Sequence, residues 1–308
     1  MISRRAWLAA IAAALAVATP AAQVFRGGTD IVYLSVTVSD ASQKLITSLE
    51  QQDFQVFEDG VPQDITIFAR DRLPISLSIL LDTSTSMEPK LVNAQDAATG
   101  FVHKLAATDV AQLIEFNSDT TIRQAFTGDQ ALLEQAVQKL RAGGSTSLYD
   151  ALYIALDELK RAKATMTAAS DALRRQAIVL LSDGADTTSH VSYENVSEQS
   201  KKLDVIVYAI GLRDKEPQPR RGGYNEGEYV LRTLSQQTGG RAFFVDDPTQ
   251  LPGIYSQIAD EIANQYVVGY TSKNQKRDGL WRKVMVRVQP PGLTARTREG
   301  YYGPGAKR

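Results

Sequence analysis

Short apolar runs along the middle of the chain constrain its fold more than any other feature. Residues 75–81, 177–181 and 205–210 are almost uninterruptedly apolar, which is typical of central strands covered on both faces of a parallel sheet. Helical patterns, with apolar residues three or four positions apart, lie between these runs. Strand and helix alternate over residues 72–265. This order predicts an α/β fold, with a doubly wound, mostly parallel sheet flanked by helices.

Shorter β-type segments occupy both sides of this region. The alternating or apolar stretches are 31–38, 54–57 and 65–69 before it, and 266–271 and 283–288 after it. Because a lone hairpin is only marginally stable in water, we expect these strands to form one small β-sandwich-like module from the two chain ends. Two independent β additions are the alternative. The predicted division is a signal peptide at 1–22, an N-terminal β module at 23–71, an α/β domain at 72–265 and a C-terminal β hairpin or strands at 266–308.

The N-terminus has the layout of a signal peptide. Arg4 and Arg5 precede an apolar run at 6–17, and small residues follow it. This run is shorter than the roughly 20 residues that cross a bilayer, so we expect cleavage near Ala21 or Ala22 rather than a permanent anchor. The paired arginines also resemble a twin-arginine export signal. The sequence therefore predicts a periplasmic or secreted protein with no membrane span after cleavage.

Composition excludes several functional classes. The chain has no cysteine, which excludes disulfides, thiol catalysis and zinc-thiolate sites. Its 34 basic and 35 acidic residues nearly balance, so the net charge offers no general attraction to nucleic acid. We expect no nucleic-acid partner.

Oxygen-bearing side chains cluster where predicted strands end. Asp82 follows the first apolar run and Asp183 follows the second, and ligands of such sheets bind beyond the carboxyl ends of the strands. Ser84 and Ser86, shortly after Asp82, add two hydroxyls. Thr146, in a loop with two glycines, adds a third. Oxygen ligands without sulfur or nitrogen favour Mg²⁺, Mn²⁺ or Ca²⁺ over zinc or copper. The predicted metal ligands are Asp82, Ser84, Ser86, Thr146 and Asp183.

Three segments together resemble the metal-ion-dependent adhesion site of the von Willebrand factor A family. They are Asp-Thr-Ser-Thr-Ser at 82–86, the loop 143–147 that contains Thr146, and Ser-Asp-Gly at 182–184. The resemblance extends over about residues 72–265 and implies the Rossmann-like fold of that family. The flanks at 57–60 and 266–270 resemble a bacterial subgroup of exported proteins with a related domain.

The resemblance also implies a role for each ligand. Ser84 and Ser86 would bind the metal directly, and Thr146 would do so in the ligand-competent state. Asp82 and Asp183 would act largely through water. Because hydroxyls are neutral ligands, the cation would keep an open octahedral position for an Asp or Glu of a protein partner. The predicted function is an exported, metal-dependent protein-binding module for adhesion or assembly, and not an enzyme.

Other interpretations remain open. Ser84 or Ser86, taken singly, fits a simple helix cap. A magnesium-dependent phosphatase of the haloacid dehalogenase type would need a second aspartate where Ser84 stands. A serine hydrolase would need a histidine base, and the chain offers only His103 and His190. A purely structural docking subunit is the third alternative.

Overall fold

The protein is described by a computed structural model over residues 31–165, 174–183, 185–213, 226–289 and 291–305. The predicted signal peptide at 1–22 lies outside the described residues. The strands are β1 (Ile31–Ser39), β2 (Phe54–Glu58), β3 (Val61–Gln63), β4 (Ile65–Ala69), β5 (Ile75–Asp82), β6 (Val110–Phe116), β7 (Thr120–Thr127), β8 (Arg175–Ser182), β9 (Val205–Leu212), β10 (Ala242–Val245), β11 (Tyr266–Thr271), β12 (Trp281–Val288), β13 (Thr294–Arg296) and β14 (Gly300–Tyr302). The α-helices are α1 (Leu91–Val102), α2 (Gln130–Gln138), α3 (Leu148–Thr165), α4 (Tyr193–Lys202), α5 (Glu226–Thr238) and α6 (Leu251–Ala263).

Six strands from the middle of the chain form the central sheet, in the order β10-β9-β8-β5-β6-β7. The first five run parallel, and β7 is antiparallel to β6. Every residue of β5, β8 and β9 is buried, as their continuous apolar runs predict for strands covered on both faces. The predicted α/β fold is confirmed.

Two hydrophobic cores cover the two faces of this sheet. Alternate residues of β5 point to opposite faces, so Ile79 joins the core beneath α1, α2 and α6, while Leu80 joins the core beneath α3, α4 and α5. Val179 and Leu180 divide in the same way on β8. The sheet is therefore doubly wound, and its functional groups must lie at strand ends rather than on its faces. None of the helices in the described ranges is long and apolar enough to span a membrane.

The β-sandwich-like module is formed by strands that precede the central sheet in the sequence and strands that follow it. One four-stranded sheet has the order β13-β1-β11-β4 and the other β14-β12-β2-β3. β1 pairs antiparallel with β11, and β2 pairs antiparallel with β12. Side chains from both sheets, including Leu34, Val56, Val268 and Val286, form a third core between them. Each of the two sheets thus combines strands from both chain ends. The domain boundaries drawn from the sequence stay a prediction.

The C-terminal strands β11 and β12 do not pair with each other. β11 and β12 are consecutive but lie in different sheets. The segment between them crosses from one sheet to the other and is fixed by Arg282, whose guanidinium donates to the carbonyl oxygens of Asn274 at 2.8 Å and Lys276 at 2.5 Å. This buried side chain therefore holds the crossover in place.

Candidate functional site

The carboxyl ends of β5 and β8 meet at one edge of the central sheet. These strands are parallel neighbours, with Leu81 opposite Leu181. β5 ends at Asp82, and Asp183 follows the last residue of β8. The two aspartates are 101 positions apart in the sequence, and the sheet brings them to the same edge, as the strand pattern predicts.

Asp82 is held rigidly beneath this edge. Its side chain is fully buried, and the Ser182 hydroxyl donates a hydrogen bond of 2.6 Å to its Oδ2. The backbone N–H of Ser84 donates a bond of 2.8 Å to its Oδ1. Burial raises the pKa of Asp82 because the charged carboxylate loses water, while the bonds from Ser182 and Ser84 act in the opposite direction. The oxygens of Asp82 are thus oriented before any ligand arrives.

Ser84 and Ser86 connect Asp82 to Asp183, because the backbone N–H of Ser84 donates to Asp82 and the two serine hydroxyls continue the chain to Asp183. The Oγ atoms of Ser84 and Ser86 are 3.1 Å apart, and the Ser86 hydroxyl donates a bond of 2.8 Å to Oδ1 of Asp183. Ser84 precedes the 3-10 helix Thr85–Lys90, yet within the described chain its side chain caps none of the N–H groups of that helix. The hydroxyls face each other and the carboxylate, which argues against a simple capping role for Ser84.

Lys90 is a member of this cluster that the sequence did not reveal. Its ammonium group lies 2.6 Å from Oδ2 of Asp183. The Asp183 side chain is fully shielded from solvent, and that of Lys90 is 13% exposed. One signal was present, because Lys90 is the sole Lys or Arg between Arg72 and Lys104. Its contact with Asp183 depends on the path of the 3-10 helix.

Thr146 lies in a loop that is tied to the same turn. The N–H of Gly143 donates to the carbonyl oxygen of Thr83 at 2.8 Å, and both the N–H and the hydroxyl of Thr85 donate to the carbonyl oxygen of Gly144 at 3.0 Å. Thr146 is buried, and its N–H donates to the hydroxyl of Thr187 at 2.9 Å. Hydrogen bonds therefore join Asp82, Ser84, Ser86 and Asp183 directly. The fifth predicted ligand, Thr146, is positioned through its loop.

Acidic residues beside the site have a supporting role. Asp186 accepts a bond of 3.1 Å from the N–H of Tyr149, at the start of α3. Asp150 accepts bonds from the N–H groups of His190 and Val191, at 3.0 Å and 2.9 Å. Both aspartates thus hold the loop 185–191 against the start of α3, and this loop includes the Thr187 hydroxyl that Thr146 contacts.

The donor set suits a hard divalent cation. It comprises two carboxylates and three hydroxyls, all of them oxygen donors. Among the described residues, no three His, Asp or Glu side chains come close enough to form a metal cluster, as is expected when most donors are hydroxyls. The Lys90 ammonium shows that the carboxylate of Asp183 already faces a cationic group. The chemistry of these residues fits the predicted ion, and their assignment as ligands stays a prediction.

An open, doubly wound α/β domain with acidic and hydroxyl side chains at adjacent strand ends has its candidate ligand site at that edge. The von Willebrand factor type A domain family matches residues 77–257, which is more than half of the 308 residues. The protein belongs to this family, as its motifs predicted. Domains of this family are generally interaction modules rather than enzymes.

Individual relatives are distant. A UPF0353 protein of Mycolicibacterium vanbaalenii is 23% identical over 250 residues, which are 76% of this chain and 73% of that protein. An uncharacterized protein of Synechocystis is 24% identical over 208 residues, 65% of this chain and 44% of that protein. The solved structure of a von Willebrand factor type A protein from Catenulispora acidiphila has a TM-score of 0.53 at 13% identity, with 82% of this chain and 74% of that chain covered. That likeness shows the fold alone.

Proposed function

We propose that the protein is an exported binding module that holds a divalent cation and captures an acidic residue of a protein partner. The observation that carries this proposal is the hydrogen-bonded chain Asp82, Ser84, Ser86 and Asp183 at two adjacent strand ends. Such a chain brings several hard oxygen donors to one point at the edge where ligands of this sheet type bind.

The proposed ligands of Mg²⁺, or of Mn²⁺ or Ca²⁺, are Asp82, Ser84, Ser86, Thr146 and Asp183. When bound, the cation supplies a coordination position for an Asp or Glu of the partner. The protein's own residues orient the donors and leave the site accessible. Ser182 fixes Asp82 from behind, whereas Thr85 and Ser86 are exposed. A partner can therefore approach from the side of the turn 83–86.

Neither histidine supports the hydrolase alternative. Nδ1 of His190 is 3.1 Å from Asp150, and its side chain is 91% exposed. Nε2 of His103 is 3.3 Å from Glu134. A serine nucleophile needs a histidine base within hydrogen-bond reach of its hydroxyl, and within the described part of the chain neither ring is hydrogen-bonded to a serine. This arrangement favours a binding role over hydrolysis.

The test is capture of partners from envelope extract on the immobilised protein, in Mg²⁺ and in chelator. We expect proteins retained in Mg²⁺ to be released by chelator, and Ser86→Ala to retain none of them. Ser145→Ala is the matched control, because Ser145 is an exposed serine of the neighbouring loop outside the proposed ligand set. Equal retention by Ser86→Ala and wild type would refute the proposed function. Retention of the same partners in chelator would instead favour a docking subunit without a metal role.

A further inference from the structure

Asp183 has a different partner on each of its carboxylate oxygens. Oδ1 accepts the Ser86 hydroxyl at 2.8 Å, and Oδ2 accepts the Lys90 ammonium at 2.6 Å. The Asp183 side chain is fully shielded and that of Lys90 nearly so. A pair removed from water in this way interacts more strongly than an exposed surface pair. The Lys90 contact is therefore part of the site.

The position of Lys90 follows from the local chain path. Ser84 and Ser86 lie at the start of the 3-10 helix Thr85–Lys90, and Lys90 is its last residue. Met87 anchors the same short helix, because its side chain is completely buried in the core. The backbone that presents the hydroxyls therefore also fixes the base of the lysine side chain.

From these contacts we propose that Lys90 is a built-in competing cation, which weakens divalent-ion binding and keeps the loaded site positively charged. This inference rests on the proposed function of the site. With both aspartates ionised, Asp82, Asp183 and Lys90 carry one net negative charge, and a divalent ion turns it into one net positive charge. An Asp or Glu of a partner then neutralises the site.

A site without Lys90 would bind the divalent ion more tightly and an acidic partner more weakly. Two carboxylates and one divalent ion are already neutral, so the ion is held more tightly and an additional carboxylate is attracted less. Lys90 thus sets a balance between ion affinity and partner affinity. It favours a site in which the cation and an acidic partner bind together.

The test is calorimetric titration of Mn²⁺ into wild type and Lys90→Met, which keeps the apolar part of the side chain and removes the charge. Because like charges a few ångströms apart repel appreciably even when partly solvated, we expect Lys90→Met to bind Mn²⁺ about tenfold more tightly. Lys90→Arg keeps the charge and should stay near wild type. Lys104→Met is the matched control, because Lys104 is an exposed lysine that follows the far end of α1 and contacts Ser256.

The outcomes are distinct. Tighter Mn²⁺ binding by Lys90→Met alone supports the proposal, including the case in which wild type binds too weakly to measure. Equal affinity of wild type and Lys90→Met overturns it while the metal site stands. Failure of every variant to bind Mn²⁺ overturns both this inference and the metal-dependent function. Thermal melting checks that each variant is folded, and Lys90→Gln serves in place of Lys90→Met if that variant is not.

Discussion

Ser182 donates a hydrogen bond of 2.6 Å to Asp82, a residue that lies 100 positions earlier in the sequence. The bond joins the ends of β5 and β8 beneath the candidate site, where Asp82 is fully buried. Together with the bond from the N–H of Ser84, it orients this carboxylate. The rigidity of the site therefore depends on a serine that is not itself a proposed ligand.

Replacing this serine should destabilise the fold and weaken the site. Ser182→Ala removes a donor from a buried carboxylate, which costs about 1–3 kcal/mol of unfolding free energy. Urea unfolding measures this loss, and Ser145→Ala, at an exposed position, should remain close to wild type. If Ser182→Ala unfolds at the same urea concentration as wild type, the bond does not have the importance assigned to it.

Two adjacent glycines provide a matched test of the Thr146 loop. Gly144 has a φ of +84°, and a Cβ there would lie 2.6 Å from Oγ of Ser118, whereas a Cβ at Gly143 would meet no atom within 4 Å. Gly144→Ala is therefore strained by about 1–3 kcal/mol and should displace the loop.

We expect Gly144→Ala to weaken Mn²⁺ binding in calorimetry and Gly143→Ala to leave it unchanged. If both variants bind Mn²⁺ as wild type does, the position of this loop does not matter to the site, and Thr146 should be removed from the ligand set.

A buried acid holds the β-sandwich-like module together. The Glu58 carboxylate accepts hydroxyl bonds from Tyr270 at 2.9 Å, Tyr301 at 2.7 Å and Ser272 at 2.6 Å. The guanidinium of Arg282, also buried, lies 3.7 Å away. Glu58 and its neighbours therefore link strands of both sheets.

Removing the charge at this position should be strongly destabilising. Glu58→Gln leaves the buried Arg282 with only Asp278, at 4.0 Å, as a counter-charge, so we expect a cost of about 3 kcal/mol, at the lower end of the range for breaking a buried ion pair. Glu198→Gln, which breaks an exposed pair with Lys202, is the control and should change stability little. Chemical denaturation compares the two variants. A Glu58→Gln protein as stable as Glu198→Gln would show that the buried network contributes no net stability.

Export predicts a shorter mature protein. Cleavage near Ala21 or Ala22 should remove Arg4 and Arg5 together with the apolar run, and mass spectrometry of the protein recovered outside the cytoplasm should find the new N-terminus there. Replacing the two arginines with a neutral pair should reduce export if the signal is of the twin-arginine type. A full-length chain retained in the cytoplasm would contradict export.

Much of the fold could be predicted because its signals are local. The continuous apolar runs of β5, β8 and β9 require burial on both faces, and this determines the type of sheet and the edge at which Asp82 and Asp183 lie. Ser182 has no such signal, and for Lys90 the sequence shows only that it is the sole Lys or Arg between Arg72 and Lys104. The role of each residue depends on the side-chain direction at the end of one element and on a partner about a hundred residues away. The separation of β11 from β12 was equally hidden, because it depends on how Arg282 packs beneath the crossover.

The most direct test of the central claim is anomalous diffraction from crystals grown with MnCl₂. We expect a single strong manganese peak beside the oxygens of Ser84 and Ser86, with Thr146, Asp82 and Asp183 around it and the Lys90 ammonium displaced from Oδ2 of Asp183. Absence of a peak at millimolar manganese, or a peak elsewhere with the Lys90 contact to Asp183 intact, would contradict the claim that this edge of the sheet holds a divalent cation.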